Sequence, residues 1–131
     1  MNPPKRDRVK VLIVDDDESI RLGLKQILEE KGFKVDTATD GFEAGVLAIE
    51  NEPALIILDL KMRGLDGFNA CRLIKTNPLL KNTKILILTG YPSRTNIDKA
   101  MGLGADRCLA KPIEQGNLLK EIDLLLQSQG K

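Results

Sequence analysis

The segment "KVLIVDDDESIRLGL" (residues 10–24) drives an aliphatic run into three consecutive aspartates, Asp15, Asp16 and Asp17, and then into the helical spacing of Ile20 and Leu24. An unbroken apolar run of this kind is how a strand buried on both faces reads. The acids that follow it need an explanation. Two carboxylates about 4 Å apart repel by about 4 kcal/mol at an effective dielectric near ~20. Water at an open loop offsets that repulsion, and so does a divalent cation.

Working outward, the same pattern recurs. Five short apolar runs stand out: "VKVLIV" (9–14), "FKVDTAT" (33–39), "ALIILD" (54–59), "KILILT" (84–89) and "RCLA" (107–110). The first, third and fourth are continuous and rich in Ile, Leu and Val, which suits fully buried strands. Each run is followed by apolar residues at helical spacing. Ile20, Leu24, Ile27 and Leu28 form one stripe, with Gly32 placed as its C-cap; Phe42, Val46 and Ile49 form a second. Phe68, Cys71 and Ile74 form a third, Ile97 and Met101 a shorter fourth, and Leu118, Ile122 and Leu125 the fifth. Strand–helix alternation repeated five times predicts an α/β domain: a parallel sheet with right-handed crossovers and helices on both faces. A ligand of such a sheet sits outside the carboxyl ends of the strands, where strand order reverses.

The totals narrow the chemistry. A chain of 131 residues suits a single domain over 1–131, with 1–8 and 127–131 as frayed ends. A hydrophobic share of 42% against a charged share of 30% is that of a soluble globular protein. Net charge is +1, so no global field argues for nucleic acid or an anionic membrane as a direct partner. The opening "MNPPKRDR" lacks the apolar core of a secretory signal, and no apolar run reaches membrane-spanning length. Cys71 and Cys108 have no metal-ligand spacing and read as reduced, packed thiols of a cytoplasmic protein. There is no histidine, which removes imidazole from both acid–base and metal chemistry and leaves a hard cation on oxygen.

The residues that close the apolar runs then form a set. Asp15, Asp16 and Asp17 close the first, Asp59 the third and Thr89 the fourth, and Lys111–Pro112 follows the fifth. Taken singly, each has a plain alternative. Asp17 reads as a helix cap, Asp15 and Asp16 as a solvated loop, Asp59 as a turn residue and Lys111 as surface charge. In parallel strands, however, all of them meet at one rim. Carboxylates without nitrogen or sulfur suit magnesium, which keeps several waters and takes one or two carboxylates. A carboxylate also serves as a nucleophile toward phosphorus, and a lysine and a hydroxyl aimed at phosphoryl oxygens complete such a site.

At this point the sequence resembles the receiver domain of two-component response regulators, the single-domain chemotaxis and sporulation type in particular. The residues that carry the resemblance are "LIVDDDESIR", "LIILDLKMRGLDGF", "ILILTG" and "GADRCLAKPI", from about residue 10 to residue 126. The resemblance implies a flavodoxin-like receiver fold with strand order 2-1-3-4-5. Asp59 would be the phosphoacceptor for a partner histidine kinase or phosphotransfer protein. Asp15, Asp16, Asp59 and the backbone carbonyl of Lys61 would hold Mg2+. Thr89 and Lys111 would bind phosphoryl oxygens, Lys111–Pro112 would be a cis peptide bond, and Asp66–Gly67 would enter the third helix. Such a protein is a switch that acts on an output protein or domain; its only reactions would be self-phosphorylation and slow loss of the phosphoryl group.

The sequence departs from that family at identifiable places. Arg63 stands where the family usually has proline, and Cys108 where it generally has an aromatic residue that swings inward on activation. A cysteine is too small for that swing. Gly90, Lys61 and Tyr91 surround the mouth of the expected site and are candidates for setting the lifetime of the acyl phosphate. Two other classes compete. A magnesium-dependent phosphatase of the haloacid dehalogenase type would use Asp15-x-Asp17, but the threonine or valine expected beyond it and a cap domain are missing. The other is a receiver-shaped interaction module that takes no phosphate. A flavin-binding domain is excluded, because acids after the first strand repel a phosphate.

Overall fold

The computed structural model describes residues 9–61 and 66–127. Strand β1 (Lys10–Val14) is the centre from which the rest is placed. Its residues Val11, Leu12, Ile13 and Val14 are all buried, as the unbroken apolar run requires. Helix α1 (Glu18–Glu30) follows, then β2 (Lys34–Ala38), α2 (Gly41–Asn51), β3 (Leu55–Leu58) and α3 (Gly67–Thr76). A 3-10 turn, Pro78–Leu80, leads to β4 (Lys84–Thr89), α4 (Arg94–Gly102), β5 (Arg107–Ala110) and α5 (Gln115–Gln127). All four strand pairings are parallel, and the sheet order is β2-β1-β3-β4-β5. The order 2-1-3-4-5 and the placement of five strands therefore match the expectation.

Period-two alternation sorts the buried strand residues into two cores. Leu12, Val14, Ile56, Leu58, Ile85 and Ile87 face α2, α3 and α4. Val11, Ile13, Leu55, Ile57, Leu86 and Leu88 face α1 and α5. In β1, β3 and β4 side chains are packed on both faces, so neither face has room for polar residues inside these strands. Polar chemistry is pushed to the strand ends.

Four helices begin with a side chain that accepts backbone N–H groups. Asp17 takes Ser19 and Ile20, Asp40 takes Glu43, Asp66 takes Asn69 and Ser93 takes Asn96. Each satisfies donors that the first helical turn leaves open, worth about 1 kcal/mol apiece. At the other end of α1 the structure refines the expected cap. Lys31 is the C-cap, and Gly32, one residue on, takes the left-handed conformation (φ 97°).

One stripe differs from its expected role. Phe42, Val46 and Ile49 share a face of α2, but that face looks outward; the helix buries Gly41, Ala44 and Ala48 instead. Small residues let α2 lie close on the sheet, and the larger ones are left in solvent. Met101 of α4 is likewise exposed while Ala100 is buried. The expectations for Arg63, for 1–8 and for 128–131 of the frayed end 127–131 lie outside the described residues; Gln127 itself is the last residue of α5.

Candidate functional site

Strand register brings the acids together. Val14 is paired with Leu58, so Asp15 and Asp59, one residue further along each strand, stand side by side. The ladder continues over them: the Asp59 N–H donates to the Val14 carbonyl at 3.0 Å and the Asp15 N–H to the Ala38 carbonyl at 3.2 Å. Thr89 ends β4 in register with Ala110, and the Lys111 N–H donates to the Thr89 carbonyl at 2.8 Å. The bond from Lys111 to Pro112 is cis.

The side chains meet as follows. The Lys111 ammonium donates to Asp15 Oδ2 at 2.8 Å and lies 3.4 Å from Asp59 Oδ2. Asp15 Oδ1 accepts the backbone N–H of Asp17 at 2.9 Å, so both Asp15 oxygens are engaged. Asp59 is different. Its Oδ1 is buried and has no hydrogen-bond partner among the described residues. Leaving a buried polar atom unpaired costs about 1–3 kcal/mol, so an orphan acceptor at a strand end marks a place for a ligand. Carboxylate oxygens of Asp15, Asp16 and Asp59 all lie within 4.8 Å of one another, with Asp16 exposed and the other two buried. The Lys111 ammonium thus pairs with two of these acids, and Asp16 stands beside them as a third carboxylate. An oxygen-only donor set with surplus negative charge fits a hard divalent cation.

Ionisation follows from this layout. Burial pushes the Asp59 carboxyl above the ordinary value of 3.8; the Lys111 charge pulls it down and Asp15 pushes it up again. For Lys111, burial favours the neutral amine. The hydrogen bond to Asp15 and the charges of Asp59 and Asp15 outweigh it, so the ammonium is held more firmly than usual.

The remaining candidates take positions around this centre. Thr89 is fully buried, and its Oγ1 accepts the Tyr91 N–H at 3.0 Å. The Lys61 ammonium sits 4.3 Å from the centroid of the exposed Tyr91 ring, a cation–π contact at the rim. Asp17 turns away from the acids: its Oδ1 accepts from Ser19 and Ile20, so it caps α1. The Asp15-x-Asp17 arrangement of a phosphatase is therefore not formed. Cys108 is half-buried against the core under α2, α3 and α4, and burial raises its thiol pKa.

Two residues do more than their place in the sequence predicts. Arg21 of α1 reaches back to donate to the Asp15 carbonyl at 2.9 Å, which fixes the turn carrying the acids. Gly67, expected only as a turn residue, packs on the end of β3. A Cβ there would fall against the Asp59 carbonyl and 2.6 Å from Leu60 Cα. The motif "DDDESIR" contained the first signal, since Arg21 lies one turn into the helix it opens. The second had only the identity of glycine itself.

A doubly wound sheet that gathers three acids and a lysine at its switch point is the arrangement the receiver resemblance implies. Comparison with known proteins agrees with that class. Residues 11–123 match the family model of the response regulator receiver domain, and the chain belongs to that family. It is 36% identical to protein PilG of Pseudomonas aeruginosa over 118 residues, covering 88% of this chain and 86% of PilG. It is 35% identical to response regulator MprA of Mycobacterium sp. (strain KMS) over 91% of this chain, but spans only 51% of MprA. Among solved structures, chemotaxis protein CheY4 of Vibrio cholerae superposes with a TM-score of 0.86 at 34% identity, over 90% of this chain and 98% of CheY4. Among the described residues no helix is long and apolar enough to cross a membrane.

Proposed function

We propose that this receiver domain is a phosphoacceptor switch of a two-component phosphorelay, with Asp59 as the residue modified. The observation that carries the reading is the buried, unpartnered Oδ1 of Asp59, beside Lys111 and within reach of Asp15 and Asp16. A carboxylate oxygen of Asp59 bonds to phosphorus as the donor's phosphorus–nitrogen bond breaks, and that electron pair returns to the imidazole of a histidine kinase or phosphotransfer protein. Lys111 and Thr89 then hold phosphoryl oxygens, replacing the single charge of Asp59 by a dianionic group. Asp15, Asp16, Asp59 and the Lys61 carbonyl would hold Mg2+, which when bound supplies charge neutralisation for the phosphoryl oxygens. Arg21 keeps the Asp15 turn in place through its carbonyl.

The switch runs through the loop after β4. Thr89 Oγ1 accepts the Tyr91 N–H, and the Tyr91 carbonyl accepts the Asn96 side-chain amide of α4 at 2.9 Å. Turning the Thr89 hydroxyl toward a phosphoryl oxygen loosens that chain and biases the position of residues 92–104. A partner, an output protein or an output domain, reads the change. In this reading the protein works in the cytoplasm, without direct contact to nucleic acid or membrane. It turns over no external substrate. The rival, a receiver-shaped module that takes no phosphate, is disfavoured because Asp15, Asp16, Asp59, Thr89 and Lys111 are all present and gathered at one rim.

Intact-mass analysis after phosphoramidate and Mg2+ tests the proposal. One phosphoryl adduct is expected, dependent on magnesium and absent from Asp59→Asn. An unlabelled wild-type chain, or labelling that persists in Asp59→Asn, would refute it. Catalytic turnover of p-nitrophenyl phosphate would instead revive the phosphatase.

A further inference from the structure

Helix α2 turns large apolar side chains outward, with Phe42 74%, Val46 43% and Ile49 49% exposed. Across a groove of about 220 Å³ stands Leu73 of α3, also exposed, and Gly45 and Ala70 line the groove beneath. A contiguous apolar patch on a small soluble domain usually marks a contact surface. The glycine adds to this. A Cβ at Gly45 would meet nothing within 4 Å, so no packing inside the chain requires glycine there. Glycine within a helix weakens it relative to alanine. Its use here leaves a notch open to the outside.

The charges on either side identify the occupant. Helix α2 contains acids and no Lys or Arg, whereas α3 contains Arg72 and Lys75 and no Asp or Glu. Lys75 is already engaged with Asp106, which leaves Arg72 exposed. At about 100° per residue, Glu43 and Glu50 fall on the flank of α2 away from α3, and Arg72 on the flank of α3 away from α2. Across the face the order is acid, apolar, groove, apolar, base. Both helices return from parallel strands, so they run in the same direction. A second copy, turned about a two-fold axis along the groove, lays its α3 on this α2. Acid then meets base on both flanks, apolar meets apolar, and Leu73 of the other copy enters the notch at Gly45. An axis across the groove would instead set acid on acid.

We propose that the α2–α3 face is a self-complementary docking surface for a second copy of this chain. It is separate from the acid rim and does not rest on the phosphoacceptor reading. Helices of 11 and 10 residues cover less than the roughly 800 Å² per partner of a standard interface, so the dimer is a weak one. Sedimentation of the full chain from roughly 10 μM to 1 mM, at low and high salt, should show a mass rising toward the dimer. Salt should weaken the association several-fold, because the flanking charges are screened. Phe42→Glu and Val46→Glu should each raise Kd by at least about tenfold, with circular dichroism unchanged because both side chains are in solvent. Arg72→Glu should also weaken association, and Glu50→Arg in the same chain should restore it; Glu43 is left in place because its carboxylate accepts the Thr39 N–H at 2.8 Å. A chain that stays monomeric to the highest concentration overturns the proposal and leaves the face to a different protein. Association that survives Phe42→Glu overturns it too, as does loss without recovery in the charge exchange.

Discussion

The molecule contains two lysine–carboxylate knots at opposite ends of the sheet. At the carboxyl rim Lys111 serves Asp15 and Asp59 at 2.8 and 3.4 Å, a third acid stands beside them, and one oxygen has no partner among the described residues. At the amino rim Lys75 donates to the Thr83 carbonyl at 2.8 Å and to Asp106 at 3.0 Å. Asp106 Oδ2 also accepts the Ile85 N–H at 2.8 Å, and the Asp106 N–H returns to the Ile85 carbonyl at 2.9 Å. Gly104, with φ 110°, lets the chain pass against Lys75, where a Cβ would come within 2.7 Å of its Cγ. Both knots use the same chemistry. The amino-rim knot has one base per acid and ties α3, β4 and β5 together; the carboxyl-rim knot has a surplus of acid. Balance suits a structural clasp, and surplus acid is the donor set that a hard cation takes.

Breaking each knot separates the two roles. The largest effect is expected at the clasp. Asp106→Ala leaves the Ile85 N–H without its acceptor and the Lys75 ammonium without its counter-charge, and should lower unfolding stability by about 2 kcal/mol in urea titration. A loss no larger than that of an ordinary surface substitution would remove the distinction. Next comes magnesium. Added at ten times its Kd, it should stabilise the wild type by about 1.4 kcal/mol, and Asp16→Asn should reduce the gain. Equal stabilisation of both proteins would place the ion elsewhere.

The third effect has the opposite sign to the first. Asp59→Asn removes a buried, incompletely paired charge and should stabilise the metal-free protein by about 1 kcal/mol at neutral pH. The folded state holds the Asp59 proton more tightly than the unfolded chain does, so wild-type stability is reduced above the raised folded pKa. The advantage of the asparagine variant should therefore shrink as pH falls through that value to 3.8, and vanish below it. An advantage that grows on acidification would contradict the assignment. The smallest effect is kinetic. Lys61→Ala and Tyr91→Ala, which remove the cation–π pair at the rim, should alter the decay of the acyl phosphate by roughly three-fold. Unchanged decay would show that the pair does not control access.

Most of the fold could be read before any coordinates because burial on both faces leaves an unambiguous mark. "VLIV" and "LIIL" admit no alternation, and both are strands buried throughout. The site was legible for the same reason: parallel strands carry their next residues to one rim, so Asp15, Asp59, Thr89 and Lys111 could be grouped by position alone. Helix α2 shows where that logic stops. Spacing identifies Phe42, Val46 and Ile49 as sharing a face, but not whether that face looks in or out. Ala44 and Ala48 win the inner face because they permit close approach, which is a property of the assembled pair of surfaces. Arg21 escaped notice for a similar reason. Its partner is a backbone carbonyl, which carries no residue type to search for.

Gly67 has a consequence beyond packing. With its Cα pressed on the backbone of Asp59 and Leu60, the start of α3 and the end of β3 form one mechanical piece, and even a methyl group would pry them apart. A mutational survey that scored every substitution would rank this position beside the proposed phosphoacceptor, Asp59. Anyone ranking positions by such scores would then look for chemistry in a residue whose whole contribution is the space it leaves empty.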